Sequence, residues 1–437
     1  MINKIKNLIS LDNPFRLIYH KIRAILANII YRFPSKGMIV VWVTGTNGKT
    51  TTCNIIAKWL QKAWKKVFMF STVNILINGN EYRNDTKMTS PDAFELQRLL
   101  RIAKKEWCEV AVIETASHGI KMHRIWGIEY DFLALTNISQ DHLDLHKTMQ
   151  DYVNTKLRIF KNLITYKRKK WVKKTAVINL DSDYSELFLS ETYDSTFTYW
   201  NSSNANLKAK DIKSDIDGMT FDVDAAWWDI KISTPLRGSF NVDNILAAIW
   251  IFISFWIKWK AIQDILKDIT WIPGRLEEVK NNESFKIFVD YAHTPDALEK
   301  VLEDFKKTKG VNNIITVFWA TWDRDKTKRP VMGEIVSRLS DIVILTQDDD
   351  YTEKTEDIIK DVFPGIERKE WENFWIISDR KEAIRTALVS ASKNDVVLVA
   401  GKWDEHILVT NGGAIEWHDR TVIEEILKGI DDNKIIK

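Results

Sequence analysis

Val43 to Thr52 reads VTGTNGKTTT. A β-rich run, Met38 to Val43, precedes it, and a helical pattern, Cys53 to Trp64, follows. A strand feeding a Gly-rich loop that opens a helix aims backbone N–H groups at a phosphate, and the helix dipole assists. Gly45, Thr46, Asn47, Gly48, Lys49, Thr50 and Thr51 are therefore the nucleotide-binding candidates. Lys49 would sit on the β/γ-phosphates and the Thr50 hydroxyl on Mg²⁺. The spacing departs from the common GxxxxGK[ST], because the residue five before Gly48 is Val43. The flanking strand and helix outweigh that departure.

Outward from this loop, strands alternate with helices. CEVAVIE (Cys108 to Glu114) and FLALTNIS (Phe132 to Ser139) read as buried strands, and TAVINLDSD supplies another. This alternation predicts an α/β fold with a parallel sheet and active residues at the carboxyl ends of its strands. From about Lys208 to Pro235 short alternating strands suggest a β insertion. A long apolar helix then starts in GSFNVDNILAAIWIFISF. IPGRLE (Ile272 to Glu277) is punctuated by Pro and Gly and reads as a boundary, after which a second α/β series begins. The expected organisation is a short helical segment over 1–37, a P-loop ATPase domain over 38–273 and a Rossmann-like α/β domain over 274–437.

Glu114 ends one strand and His142 follows another, so both can reach the rim occupied by Thr50. Lys156 lies on a helix of mixed polarity. A hard cation takes carboxylate, hydroxyl and phosphate oxygens, whereas His is a less usual partner for Mg²⁺. Taken singly, these three residues also fit a salt bridge, a helix cap and a solvated lysine. Asp290 and His293 in DYAHTPDAL again sit at a strand end before a helix, and Asn241 and Asn244 suit helix capping. Composition and spacing lead as far as an ATP-dependent α/β enzyme.

The chain has 437 residues, 45% hydrophobic and 28% charged, as is ordinary for a globular protein. Its net charge of +3 is small and dispersed, which argues against a nucleic-acid partner. Two cysteines, Cys53 and Cys108, make neither a zinc pattern nor a disulfide framework, which fits a reducing cytoplasm. No segment approaches the roughly 20 apolar residues of a membrane span. LIYHKIRAILANIIYRF places Ile18, Ile22, Ile25, Leu26, Ile29, Ile30 and Phe33 at helical spacing. This helix is expected to pack on the body of the protein, with weak contact to a membrane surface through residues 16–33 as the alternative.

Nine motifs in order resemble the Mur ligases: TGTNGKTTT, SHG, TNISQDHLDLH, YVNTKLRIF, GSFNVDNILAA, PGRLE, DYAHTPDAL, DRDKTKRP and AGKWDE. They look most like the UDP-N-acetylmuramoyl-peptide synthetases of the MurE type, from about residue 38 to the end. The resemblance implies an ATP-dependent amide ligase of cytoplasmic peptidoglycan precursor synthesis, acting as a monomer. It would phosphorylate the terminal carboxylate of a UDP-MurNAc-peptide and pass the acyl group to an amino acid. By the family pattern Thr50 and Glu114 would hold one Mg²⁺. His142 and Lys156, the latter carbamylated, would serve a second. Lys49 would clamp the phosphates, and Asn241, Arg275, Asp290 and His293 would contact ATP. Thr89, Ser90, Ser117 and Arg124 would touch the UDP-MurNAc-peptide. Asp323, Arg324, Lys326, Asp348, Lys402 and Glu405 would face the incoming amino acid and the peptide end.

Two departures from the pattern stand out. About 37 residues precede the ATPase domain, where the family carries a domain gripping the UDP-sugar, so a differently presented or lipid-linked acceptor is an alternative. After the strand DIVILT, enzymes selecting meso-diaminopimelate carry Asp-Asn-Pro-Arg, whereas this chain reads QDDDYTE with Tyr351 in place of the arginine. Without that guanidinium a distal carboxylate lacks its bidentate partner, and Asp348, Asp349 and Asp350 suit the distal ammonium of lysine. Folylpolyglutamate and cyanophycin-type ligases share the ATPase logic, and a P-loop switch is a third reading. MTSPDA, SHG and DRDKTKRP favour the peptidoglycan branch, and a switch leaves DYAHTPDAL without a role.

Tryptophan usage is abnormal, with 19 Trp against 16 Gly. Glycine at about 7% would number roughly 30. Trp42, Trp64, Trp271, Trp319, Trp322 and Trp403 stand where the family pattern has glycine, and Trp107, Trp200 and Trp371 belong with them, whereas Trp375 and Trp417 look genuine. The expectation is that UGA encodes glycine in the source and has been read as tryptophan.

Overall fold

Val40, Val41, Trp42 and Val43 are fully buried, as befits a strand covered on both faces. They form β1 (Ile39–Thr44) at the heart of an eleven-stranded sheet in the computed structural model. The structure describes residues 13–435, except 64, 87, 170, 201–203, 226–227, 258, 268–271, 321–325, 348–353, 403–406 and 411–412. The other strands are β2 (Val67–Phe70), β3 (Asn74–Ile77), β4 (Asn80–Arg83), β5 (Val110–Glu114), β6 (Phe132–Leu135), β7 (Thr175–Asn179), β8 (Ser195–Tyr199), β9 (Leu207–Asp215), β10 (Gly218–Ala225) and β11 (Trp228–Thr234). Their order is β11-β10-β9-β8-β7-β6-β1-β5-β2-β3-β4.

The run from β2 through β5, β1, β6 and β7 to β8 is parallel. The edge β2-β3-β4 is antiparallel. Asn78 and Gly79 join β3 to β4 with φ of 46° and 96°, the left-handed pair that a tight hairpin demands. That Asn-Gly was the available signal for an antiparallel edge on a parallel sheet. Strand order reverses around β1, so the crevice at its carboxyl end is where ligands bind in open α/β sheets.

Five helices matter for the argument: α1 (Pro14–Ile30), α2 (Lys49–Lys62), α3 (Ala93–Lys105), α4 (Met149–Asn162) and α5 (Phe240–Ser254). Nearly every residue of α5 from Asn241 to Phe252 is buried, as an all-round apolar helix requires, and α5 packs against α2. Residues up to Ile212, with Thr220–Thr234 and Phe240–Ile269, form one compact unit. Lys213–Met219, Pro235–Ser239 and Thr270–Lys437 form another. The second unit holds a six-stranded sheet of β12 (Glu277–Glu278), β13 (Lys286–Asp290), β14 (Ile314–Phe318), β15 (Ile342–Leu345), β16 (Phe374–Ile376) and β17 (Val396–Ala400). Its order is β12-β13-β17-β14-β15-β16, parallel apart from β12. Both thiols, Cys53 and Cys108, are free and buried. Among the described residues no helix is long and apolar enough to cross a membrane.

The tryptophans fall into physically distinct groups. Trp107, Trp171, Trp200, Trp256 and Trp371 adopt φ of 61°, 66°, 112°, 60° and 76°. A bulky side chain there is a steric outlier, whereas glycine meets no penalty. Trp171 and Trp256, which family comparison of motifs does not single out, are 91% and 92% exposed. The buried indole nitrogens of Trp42, Trp59 and Trp319 have no hydrogen-bond partner among the described residues. A Cβ built on Gly401 lies 2.2 Å from Trp319 Nε1. Trp417, by contrast, donates from Nε1 to Asp419 at 2.8 Å.

Candidate active site

Where β1 ends, the loop from Gly45 to Gly48 turns into α2. Gly48 is the N-cap with φ of 80°, and a Cβ there would lie 2.2 Å from Asn244 Oδ1. At Gly45, φ is 152° and a Cβ would lie 1.9 Å from Thr136 Oγ1. Only glycine fits either place. The loop is held from β6's extension: Thr46 N donates to Asn137 O at 2.9 Å and Asn47 N to Asn137 Oδ1 at 2.9 Å. Thr136 Oγ1 donates to Asn47 O at 2.6 Å. Lys49 begins α2 and its amine donates to Thr46 O at 2.7 Å. Thr51 is buried on the first turn.

Sheet register places the acid. Val43 pairs with Glu114 across β1 and β5, so the carboxylate emerges beside the loop. Glu114 Oε2 accepts from Thr50 Oγ1 at 3.0 Å and from Thr72 N at 2.7 Å, while Oε1 accepts from Thr72 Oγ1 at 2.9 Å. Three donors offset the cost of burying this carboxylate. Thr72 Oγ1 also lies 2.9 Å from Thr89 Oγ1. Sequence reading missed Thr72; its only mark is a Ser-Thr pair just past the end of β2.

On the other side, α4 brings Lys156 to Gly45, whose carbonyl accepts from its amine at 2.8 Å. Burial and the nearby charge of Lys49 push that amine well below its ordinary range, against the pull of Asp141. His142 has left-handed backbone (φ 55°), and its Nε2 lies 3.3 Å from Asp141 Oδ2. Its ring stands 4.7 Å from that of His118 and 6.3 Å from that of Tyr152. Tyr152 in turn meets Thr46, hydroxyl to hydroxyl, at 3.0 Å. Asp141 and Tyr152 both lie inside quoted motifs, yet nothing in the spacing distinguished them.

Besides Thr89, three further candidates for the peptide acceptor gather nearby. Ser90 Oγ accepts from Ala116 N at 3.1 Å, and Arg124 donates to Ser90 O at 2.8 Å. Ser117 is buried, and its Oγ has no hydrogen-bond partner among the described residues. Asn241 Oδ1 accepts from Asn244 Nδ2 at 2.8 Å, and Asn244 Oδ1 accepts from Thr52 Oγ1 at 3.2 Å. These asparagines brace α5 against α2.

In the second unit Asp290 closes β13 and its carboxylate accepts from Leu276 N at 2.6 Å and Ala292 N at 2.7 Å. Burial pushes this carboxyl up, opposed by Arg275 and the two N–H groups. Arg275 lies over the Tyr291 ring at 5.0 Å, and that ring is 4.0 Å from His293. Lys328 donates to His293 O at 3.1 Å. Lys326 is exposed and Lys402 buried. Asp323, Arg324, Asp348 and Glu405 lie outside the described residues.

Residues 43–252 match the Mur ligase middle domain, and residues 274–403 the Mur ligase glutamate ligase domain. The UDP-N-acetylmuramoyl-L-alanyl-D-glutamate–2,6-diaminopimelate ligase of Clostridium botulinum is 38% identical over 94% of this chain and 82% of its own length. Its Bacillus cereus counterpart is 33% identical over 98% of this chain and 86% of its own. A solved structure bearing the same ligase name aligns with TM-score 0.65 at 29% identity, covering 94% of this chain and 83% of that one. Folylpolyglutamate synthase from Mycobacterium tuberculosis aligns with TM-score 0.70 at 15% identity, covering 91% and 95%, which speaks to fold alone.

Proposed function

Since this chain belongs to the Mur ligase family, we propose that it is an ATP-dependent ligase joining an amino acid to a UDP-MurNAc-peptide. The observation that carries the reading is the Thr50–Glu114 pair, 3.0 Å apart: Glu114 closes β5, and Thr50 lies on the first turn of α2, just after the glycine loop that follows the neighbouring parallel β1. A carboxylate is a poor electrophile until a good leaving group is installed. ATP phosphorylates the peptide's terminal carboxylate, and the amine of the amino acid then displaces phosphate through a tetrahedral intermediate. Lys49 and the N–H groups of the first turn of α2 hold the transferring phosphate charge.

The donors fit Mg²⁺: the Thr50 hydroxyl and Glu114 carboxylate are hard oxygen ligands, and the His142 imidazole belongs with Lys156 to a second cation of this reading. The metal would neutralise phosphate charge when bound. A buried lysine whose amine is pushed towards neutrality is a nucleophile for CO₂. At Lys156 an N–C bond would form with loss of one proton, and the resulting carbamate would offer an oxygen to a bound cation. Asn241, Arg275, Asp290 and His293 are the ATP residues of this reading. Thr89, Ser90, Ser117 and Arg124 receive the UDP-MurNAc-peptide, and Asp323, Arg324, Lys326, Lys402 and Glu405 serve the amino acid and peptide end.

The relatives' names specify 2,6-diaminopimelate. Here Tyr351 replaces the arginine that would pair a distal carboxylate, and Asp348 to Asp350 suit an ammonium, so lysine is the amino acid of this proposal. The enzyme acts as a monomer in the cytoplasm. Phosphate release from ATP should require UDP-MurNAc-dipeptide and lysine together. Release without either one points to a switch, release with a folate acceptor to the folylpolyglutamate branch, and preference for diaminopimelate overturns the lysine assignment.

A further inference from the structure

Helix α1 is held by its small side. Ala24 and Ala27 pack on Ala93 and Phe94. Asn28 Nδ2 donates to Trp126 O at 2.7 Å, and Arg23 pairs with Asp92 at 2.8 Å while lying over the Phe94 ring. These contacts set the helix's rotation. At about 100° per residue, Phe15, Ile18, Ile22, Leu26, Ile29 and Ile30 then fall within an arc of roughly 120° on the opposite side. All six are exposed, Phe15 at 81% and Ile30 at 60%. A helix with alanines inward and its large aliphatic side chains outward inverts the arrangement of a core helix.

Charge says what covers this face. No acidic residue occurs between Asp12 and Glu81. Residues 1–37 carry seven lysines and arginines against the single Asp12, while the whole chain is only +3, so the remainder is net acidic. Lys21 borders the apolar arc, and Arg32 lies just past the helix end; both are exposed. Two copies meeting through this face would bring like charges together. A bilayer with anionic headgroups accepts the apolar arc among its acyl chains and the basic residues at its surface. We propose that the outer face of α1 docks this protein on an anionic lipid surface, lying in the interface rather than spanning it.

The test is sedimentation of the full chain with vesicles of phosphatidylglycerol mixed with phosphatidylcholine, and with phosphatidylcholine alone. The protein should pellet with the anionic vesicles and be released by salt. Ile22→Glu with Ile29→Glu should weaken pelleting by about tenfold or more while leaving phosphate release in solution unchanged, which separates lost docking from lost folding. Lys21→Glu with Arg32→Glu should erase the preference for anionic vesicles. Failure to pellet, equal pelleting by the isoleucine variant, or self-association without lipid that this variant abolishes would each overturn the proposal.

Discussion

Replacing Trp107, Trp171 and Trp256 together by glycine should stabilise the first unit. Their φ values of 61°, 66° and 60° lie in the left-handed region. Holding a side chain there costs about 1–2 kcal/mol per residue. Glycine gives back roughly 0.5–1 kcal/mol through the freedom of the unfolded chain. With these indoles 77%, 91% and 92% exposed, little packing is lost. The net gain is about 0.5–1 kcal/mol per site, or about 2 kcal/mol for the three if they add. Trp171 and Trp256 line one hollow with Phe132 and Phe255, so those two are expected to couple. For a unit of this size the sum corresponds to a rise in Tm of roughly 4–8 °C. Calorimetry resolves the transition of the first unit from that of the second, where among the described tryptophans only Trp371 has the same strain. Trp417→Gly is the control: its indole is buried and bonded to Asp419, so its loss should cost about 3–5 kcal/mol. A lower Tm for the triple variant would refute the reasoning, as would UGG codons in the gene at Trp42 and Trp319.

Glu114→Gln removes the charge but keeps the shape beside Thr50, and should lower kcat by about 10²–10³ with folding intact, read as phosphate release alongside circular dichroism. Gly48→Ala meets Asn244 Oδ1 at 2.2 Å and should abolish turnover, whereas Gly310→Ala, at φ 87° with nothing within 4 Å, should leave turnover intact and cost about 1–2 kcal/mol of stability. Arg380→Ala strands Asp419, to which it donates at 2.8 and 2.6 Å in full burial, and should cost the second unit about 3–5 kcal/mol in thermal unfolding. Burial and the charges of Arg124 and Arg16 lower His20 to about 4. The folded state therefore binds fewer protons than the unfolded chain, and stability falls as pH drops from about 6.5 to about 4. Because His20 is partly exposed, screening reduces this to about 1–2 kcal/mol, measurable as a shallower acid limb in His20→Gln.

Short-range chemistry was legible in the residues. The glycine loop, its Lys-Thr, and the alternation of strand and helix are local patterns, imposed by backbone sterics and side-chain periodicity. The tryptophan surplus showed in composition, but which indoles are strained needed the backbone: Trp171 and Trp256 carry no motif, only a positive φ. The antiparallel edge at β3-β4 was equally local, written in Asn78-Gly79.

Convergence was legible only in outline: strand ends put Glu114 on the rim of Thr50 and the family resemblance paired them, but the contacts and the register that make the pair were not. Glu114 lies far along the chain from Thr50, and nothing in either segment says that β5 pairs with β1 in the register Val43 to Glu114. Parallel register is set by which apolar faces bury together across the whole sheet, and no one strand encodes it. The same holds for Thr72 as a ligand of Glu114, for Tyr152 as the link from His142 to the loop, and for Lys156 beneath Gly45. Its lysine reads as solvated until burial deprives the amine of water. For α1 the spacing of isoleucines announced an amphipathic helix, but which side faces inward followed from Asn28 and Arg23 finding partners about 98 and 69 residues away. Amphipathicity is a property of one segment, whereas orientation depends on what that segment packs against.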